Sequence, residues 1–248
     1  MIDADEALAF YVRWYALQMA APLQEKTTLL ECGTHDGTWR KWVLDIDASM
    51  EELQAHSYAT DAGELLAAVL QLGQAFGDAL HELGYLHAPS ACPFAVVSRH
   101  SETKRSWHIT LCALARLADW REAVHAITEA GFDVDRPGWD MLRFLDPAIA
   151  RNSCGQYMQV LGSTKVSPGK PADGNCFVSE GLWASATESI PIAEEVRLPL
   201  FYAATSLVMH DPWSVPFAHL LPSSSAGAPP PKAKKRQHHH HHHRHCRI

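Results

Sequence analysis

The sequence has little of what would quickly narrow its function. Its six cysteines, Cys32, Cys92, Cys112, Cys154, Cys176 and Cys246, are scattered and form no Cys-x-x-Cys pair. That argues against a disulfide framework and against a local zinc ribbon; a zinc site would need distant residues to converge. No apolar run is long enough to span a bilayer. The opening Met1-Ile2-Asp3-Ala4-Asp5-Glu6 has no basic segment of the kind that begins a signal peptide. The expectation is an intracellular chain in a reducing compartment, with no membrane partner. No internal repeat is visible. Positive charge is not in excess either: the net charge is −7. A nucleic-acid binder usually shows a basic face, but a whole-surface balance says little about one cleft.

What is present is ordinary for a globular domain. The 248 residues are 47% apolar and 20% charged, enough for one α/β domain or two closely packed lobes. Residues 1–221 read as the folded domain. After Leu221 come a Pro/Ser-rich linker, the basic run Lys232 to Arg236 and six consecutive histidines, so residues 222–248 read as a linker and tail without a core. The histidine run is most simply an expression tag, with Arg244 to Ile248 vector-derived. The short basic run has the composition of a nuclear signal.

Periodicity gives the elements. Leu8, Tyr11, Val12, Tyr15 and Met19 recur at helical spacing before Pro22. Thr28 to Leu30 and Trp42 to Asp47 are strand candidates, with a turn from Gly33 to Gly37 between them. A long helix is expected over Asp61 to Leu83, its stripe including Leu66, Val69, Leu70 and Leu80. Pro93 to Arg99 and Arg105 to Leu111 predict a hairpin around Ser101 to Lys104. Asp119 to Ala130 predicts a helix capped by Asp119, with Trp120, Val124 and Ile127 inward. Met141 to Leu145 and Tyr157 to Leu161 read as extended. Helices alternate loosely with strands, so the class is α/β or α+β. Most of the eight tryptophans are expected in the core; Trp39, beside Arg40, has the alternative of stacking on a template base. Phe177 to His219 reads as completing the fold, without chemistry.

Three stretches carry the chemistry. In a strand, residues i and i+2 point the same way. Asp45 and Asp47 then share one face while Leu44 and Ile46 enter the core. Two carboxylates so close repel unless a cation sits between them, and hard oxygen ligands suit Mg²⁺ or Mn²⁺. Alone, Asp-x-Asp is more often a solvated strand end. In Lys104-Arg105-Ser106-Trp107-His108-Ile109-Thr110-Leu111 the same alternation puts Ser106, His108 and Thr110 on one face. A hydroxyl, an imidazole and a nearby ammonium suit a triphosphate; an exposed amphipathic strand explains the pattern equally well. Arg99, Lys104, Arg105 and Arg116 make this the most basic stretch of the folded region. The third is Leu145-Asp146, followed by Arg151 and then by Gly162-Ser163-Thr164-Lys165, a glycine turn ending in lysine that can approach a phosphate. Walker A spacing is absent.

In order and spacing these stretches resemble the archaeo-eukaryotic primase superfamily, and within it the primase-polymerase group. Asp45 and Asp47 match its first motif, Ser106 and His108 preceded by Lys104 its second, and Leu145-Asp146 its third. The resemblance covers roughly Trp42 to Lys165. It implies a primase-like catalytic core with an RRM-like sheet packed by helices. It also implies template-directed nucleotidyl transfer by two divalent ions, Mg²⁺ or Mn²⁺, held by Asp45, Asp47 and Asp146. Lys104, Ser106, His108, Arg151 and Lys165 would grip the incoming triphosphate. The implied partners are single-stranded DNA, nucleoside triphosphates and a helicase or single-strand-binding protein; the implied place is the nucleus or a replication site. Two features depart from the group: Gln159 stands where an Arg is usual, and Ala150 to Gly155 replaces a more basic stretch. No zinc-binding primase module or helicase domain is matched. Three alternatives stand beside this reading: an inactive relative that binds nucleic acid or a partner, a metal-dependent nuclease or phosphohydrolase, and a globular domain in which His100, His108 and His125 are merely structural.

Overall fold

The structure is a computed structural model that describes residues 4–33, 39–86, 92–129, 135–146, 156–166, 169, 175–207 and 215–216. Its helices are α1 (Ala4–Ala20), α2 (Met50–Ala55), α3 (Ala62–Glu82), α4 (Leu117–Glu129) and α5 (Arg197–Thr205). Its strands are β1 (Leu30–Gly33), β2 (Arg40–Ser49), β3 (Phe94–His100), β4 (Lys104–Ala115), β5 (Gln156–Gln159), β6 (Val178–Trp183) and β7 (Val215–Pro216). The result is a mixed α/β structure, an α+β arrangement with two antiparallel sheets.

The main sheet runs β2-β4-β3-β6, antiparallel throughout, with β7 making a short parallel pairing to β4. β4 lies between β2 and β3, so β2, α3 and β3 form a split β-α-β unit. The tight loop Ser101 to Thr103 forces β3 and β4 to pair directly, and β2 adds to the free edge of β4. A second sheet pairs β1 with β5. Of the expected strand Thr28 to Leu30 only Leu30 lies in β1, which runs on to Gly33 and finds its partner far along the chain, not in β2.

Strand alternation gives the main sheet two buried faces. Trp42, Leu44, Ile46, Trp107, Ile109 and Leu111 point to one side, where they pack with α3 and α4. α3 begins where Asp61 accepts the N–H of Glu64, satisfying a first-turn donor. It lies close on the sheet because Gly73 has no side chain: a Cβ there would meet the Phe94 ring at 2.7 Å. Val43, Ala95, Val97 and Cys112 emerge on the opposite face. That face is walled by α1, α5 and the β1-β5 pair, with Tyr11 of α1 stacked on Tyr202 of α5 at 3.8 Å.

Several expectations change. Met141 to Leu145 is not extended: Trp139–Phe144 forms a 3₁₀ segment that buries Trp139, Met141 and Phe144. α4 starts at Leu117, two residues before Asp119, so Asp119 is within the first turn and pairs with Arg116 at 3.1 Å instead of capping. Trp42, Trp107, Trp120 and Trp139 are core, but Trp39 is 45% exposed beneath the Arg116 guanidinium. Among the described residues, no helix is long and apolar enough to cross a membrane. Residues 217–248, including the tail, lie outside the described residues.

Candidate active site

The register of β2 on β4 brings the first two sequence motifs together. Asp45 stands opposite His108, and Asp47 opposite Ser106. Directly opposed residues in an antiparallel pair share a face. All four therefore emerge on the side walled by α1, α5 and β5, while Ile46 and Trp107 between them anchor the strands in the other core.

The third motif arrives by a backbone contact. After the 3₁₀ segment, Leu145 bridges to Ile46, and the Asp146 N–H donates to the Asp45 carbonyl at 2.8 Å. Asp146 is thus tied by main chain to the strand that carries Asp45 and Asp47, near enough for its charge to act on the Asp45 carboxyl.

Their electrostatics are strained. Burial pushes the Asp45 carboxyl up to about 7, with further upward pressure from Asp47 and Asp146; Lys104 and Arg99 pull it down. Asp45 Oδ1 is buried with no hydrogen-bond partner. His108 Nε2 lies 3.6 Å from it, beyond hydrogen-bond range. Burial lowers His108 to about 4, so the imidazole is neutral at pH 7 and this contact is no ion pair. Asp47 turns instead to Lys104, whose Nζ is 2.8 Å from its carboxylate.

The donors here are carboxylates. Carboxylate oxygens suit a hard ion, and an orphaned buried oxygen on a carboxyl that resists ionisation is a position that a cation would stabilise. As the side chains stand, no three His, Cys, Asp or Glu groups among the described residues are gathered about one point. Asp45, Asp47 and Asp146 are the residues that would hold the ion.

The other expected site residues are placed as follows. Ser106 is buried between Asp47 and the next strand. Arg151 lies outside the described residues. The Gly162 to Lys165 segment is not an open phosphate loop. The Ser163 hydroxyl donates to the Leu29 carbonyl at 2.9 Å and accepts the Leu29 N–H at 3.0 Å. Thr164 is buried and accepts a hydrogen bond from Gln18 at 3.2 Å. Gly162, at φ +88°, makes its close approach to Tyr15, not to a ligand. Lys165 lies exposed beyond this tie.

Two neighbours of the site are not assigned to it by the sequence motifs. Arg99 on β3 stands opposite Ser106, on the same face. Phe177 packs its ring on His108, centroids 4.5 Å apart, so the segment beginning at Phe177 does reach the site. Arg99 was legible in principle from its alternation with Val97, but only once β3 was set beside β4. No protein-family model matches the chain, and no curated protein matches it either.

Proposed function

We propose that this chain is a primase-polymerase catalytic core that joins nucleotides by metal-dependent transfer on a DNA template. The observation that carries the reading is the cross-strand placement of Asp45 on His108 and Asp47 on Ser106, with Asp146 bonded to the Asp45 backbone. Three short motifs, each commonplace alone, are brought together by strand register and one main-chain bond, and that convergence supports nucleotidyl transfer. The split β-α-β sheet with helices against it agrees with the RRM-like core that the resemblance implies.

Each residue then has a role. A bound divalent ion, Mg²⁺ or Mn²⁺, supplies charge stabilisation for the attacking 3′-hydroxyl and the departing pyrophosphate. Asp45, Asp47 and Asp146 hold that charge in place. Ser106 donates its hydroxyl to a phosphate oxygen, and neutral His108 can donate a ring N–H without adding charge. Lys104, half exposed and already poised on Asp47, exchanges that partner for phosphate. Much of the rate would come from fixing two reactants in a walled site.

The test is synthesis on single-stranded DNA with Mg²⁺ or Mn²⁺, both without a primer and from one. Asp45→Ala and Asp47→Ala should abolish incorporation while the domain stays folded; normal extension by both would sink the proposal. Gln159, where the primase-polymerase group usually has Arg, favours a second reading as an inactive relative. DNA binding without incorporation in Mn²⁺ would select it. Shortening of a labelled oligonucleotide would instead indicate a nuclease.

A further inference from the structure

The site continues one strand further than its motifs. Asp47 on β2, Ser106 on β4 and Arg99 on β3 lie directly opposite one another in a single row across the sheet. Ser106, in the middle, has a carboxylate on one side and a guanidinium on the other. The next row holds Asp45, His108 and Val97.

Arg99 is held at two points. Its Nη1 donates to Gln159 Oε1 at 3.0 Å. Its guanidinium carbon lies 4.7 Å from the centroid of the Phe177 ring, the ring that also packs on His108. The Gln159 bond engages one of five N–H donors, and Gln159 is neutral, so this partner orients the fork without cancelling its charge. A planar cation stacked on a ring and steered by an amide is preorganised for bidentate contact with phosphate, as a free lysine is not.

We infer that Arg99 is a further cationic contact for the triphosphate of the incoming nucleotide, positioned by Gln159 and Phe177. The identity of the anion rests on the nucleotidyl-transfer reading above; the placement of Arg99 does not. On this view Gln159, the departure from the primase-polymerase pattern, does not leave the site short of a guanidinium. It steers one supplied by β3.

The experiment is calorimetric titration of the full chain with ATP and with inorganic tripolyphosphate, both in Mn²⁺, with thermal melts to confirm folding. Arg99→Ala should weaken both ligands about tenfold or more, the scale of a charge-assisted phosphate contact. Arg99→Lys should fall between Arg99→Ala and the native chain. Arg99→Gln, which keeps most of the stem and an amide donor for Gln159, carries the same expectation as Arg99→Ala and serves if that variant fails to fold. Gln159→Glu is the positioning readout. It keeps the acceptor but neutralises the fork, so it should weaken binding more than Gln159→Ala. A purely structural role predicts the reverse.

Binding by the Arg99 variants within about twofold of the native chain, while Lys104→Ala weakens it, would overturn the inference. So would native affinity in Gln159→Glu. A native chain that binds triphosphate through Arg99 yet extends no primer overturns the nucleotidyl-transfer reading and leaves this one standing. A native chain that binds neither ligand overturns both.

Discussion

Asp146 donates its backbone N–H to the carbonyl of Asp45 at 2.8 Å, so a main-chain bond ties the third aspartate to the strand that carries the first. Asp146→Asn keeps the backbone bond and the Leu145 bridge to Ile46. It should leave the domain folded while lowering metal-dependent incorporation by roughly 100-fold or more. Urea unfolding and an extension assay on the same preparation check this. A loss of stability to match the loss of activity would count against it.

Asp45 should destabilise the metal-free fold at neutral pH. Its carboxyl is raised from an ordinary 3.8 to about 7, so the folded chain holds that proton more tightly than the unfolded one. The resulting stabilisation is complete below about pH 4 and is lost as pH rises through 7. Asp45→Asn should then gain stability over the native chain at pH 8, on the order of 2–4 kcal/mol, with the difference shrinking toward zero at pH 4. Saturating Mn²⁺ should raise the melting temperature of the native chain more than that of the variant. Melts in chelator and in Mn²⁺ across this range decide the matter.

His108 titrates with the opposite sign. Burial lowers it from 6.5 to about 4, so the stability it contributes is present above pH 6.5 and is lost as pH falls toward 4. Asp45 opposes this in the same window. The clean comparison is therefore Asp45→Asn against Asp45→Asn/His108→Gln. The double variant should lose less stability between pH 6.5 and pH 4; parallel pH curves would refute the assignment.

Gly162 sits in the left-handed region, and a Cβ there would meet the Tyr15 ring at 2.8 Å. Gly162→Ala combines backbone strain with overpacking and should cost about 2–4 kcal/mol. Tyr15→Ala should therefore cost less in the Gly162→Ala chain than in the native one, since there it also removes the clash. Equal costs in the two backgrounds would mean that the clash plays no part.

Local patterning made much of this legible in sequence. Asp45 with Asp47, and Ser106 with His108, follow from strand alternation, and the loop before β4 announced the hairpin that positions them. The inward faces of α3 and α4 followed from helical spacing. What went unread depended on partners far along the chain. Met141 to Leu145 reads as a strand because it is a short apolar run. A 3₁₀ segment buries such residues with a period near three, and the docking of Trp139 on α3 residue Phe76 is not local information. Ser163 and Thr164 resemble a phosphate loop in composition, yet their hydroxyls belong to Leu29 and Gln18. In sequence Arg99 reads only as part of a basic stretch, because its site neighbours lie on β4, on β5 and at Phe177.

The Tyr11–Tyr202 stack joins α1 to α5 across the face that carries the aspartates. During synthesis the strands bearing Asp45, Ser106 and His108 emerge early and can pair at once. The wall over them cannot close until α5 has left the ribosome, because the Leu207 carbonyl, to which the Lys41 N–H donates, follows α5 in the chain. Until that moment Val43, Val97 and Cys112 present an uncovered apolar face, the kind of intermediate that chaperones bind and that aggregates when left alone. A chain stopped short of α5 would thus hold every motif and still lack a usable site.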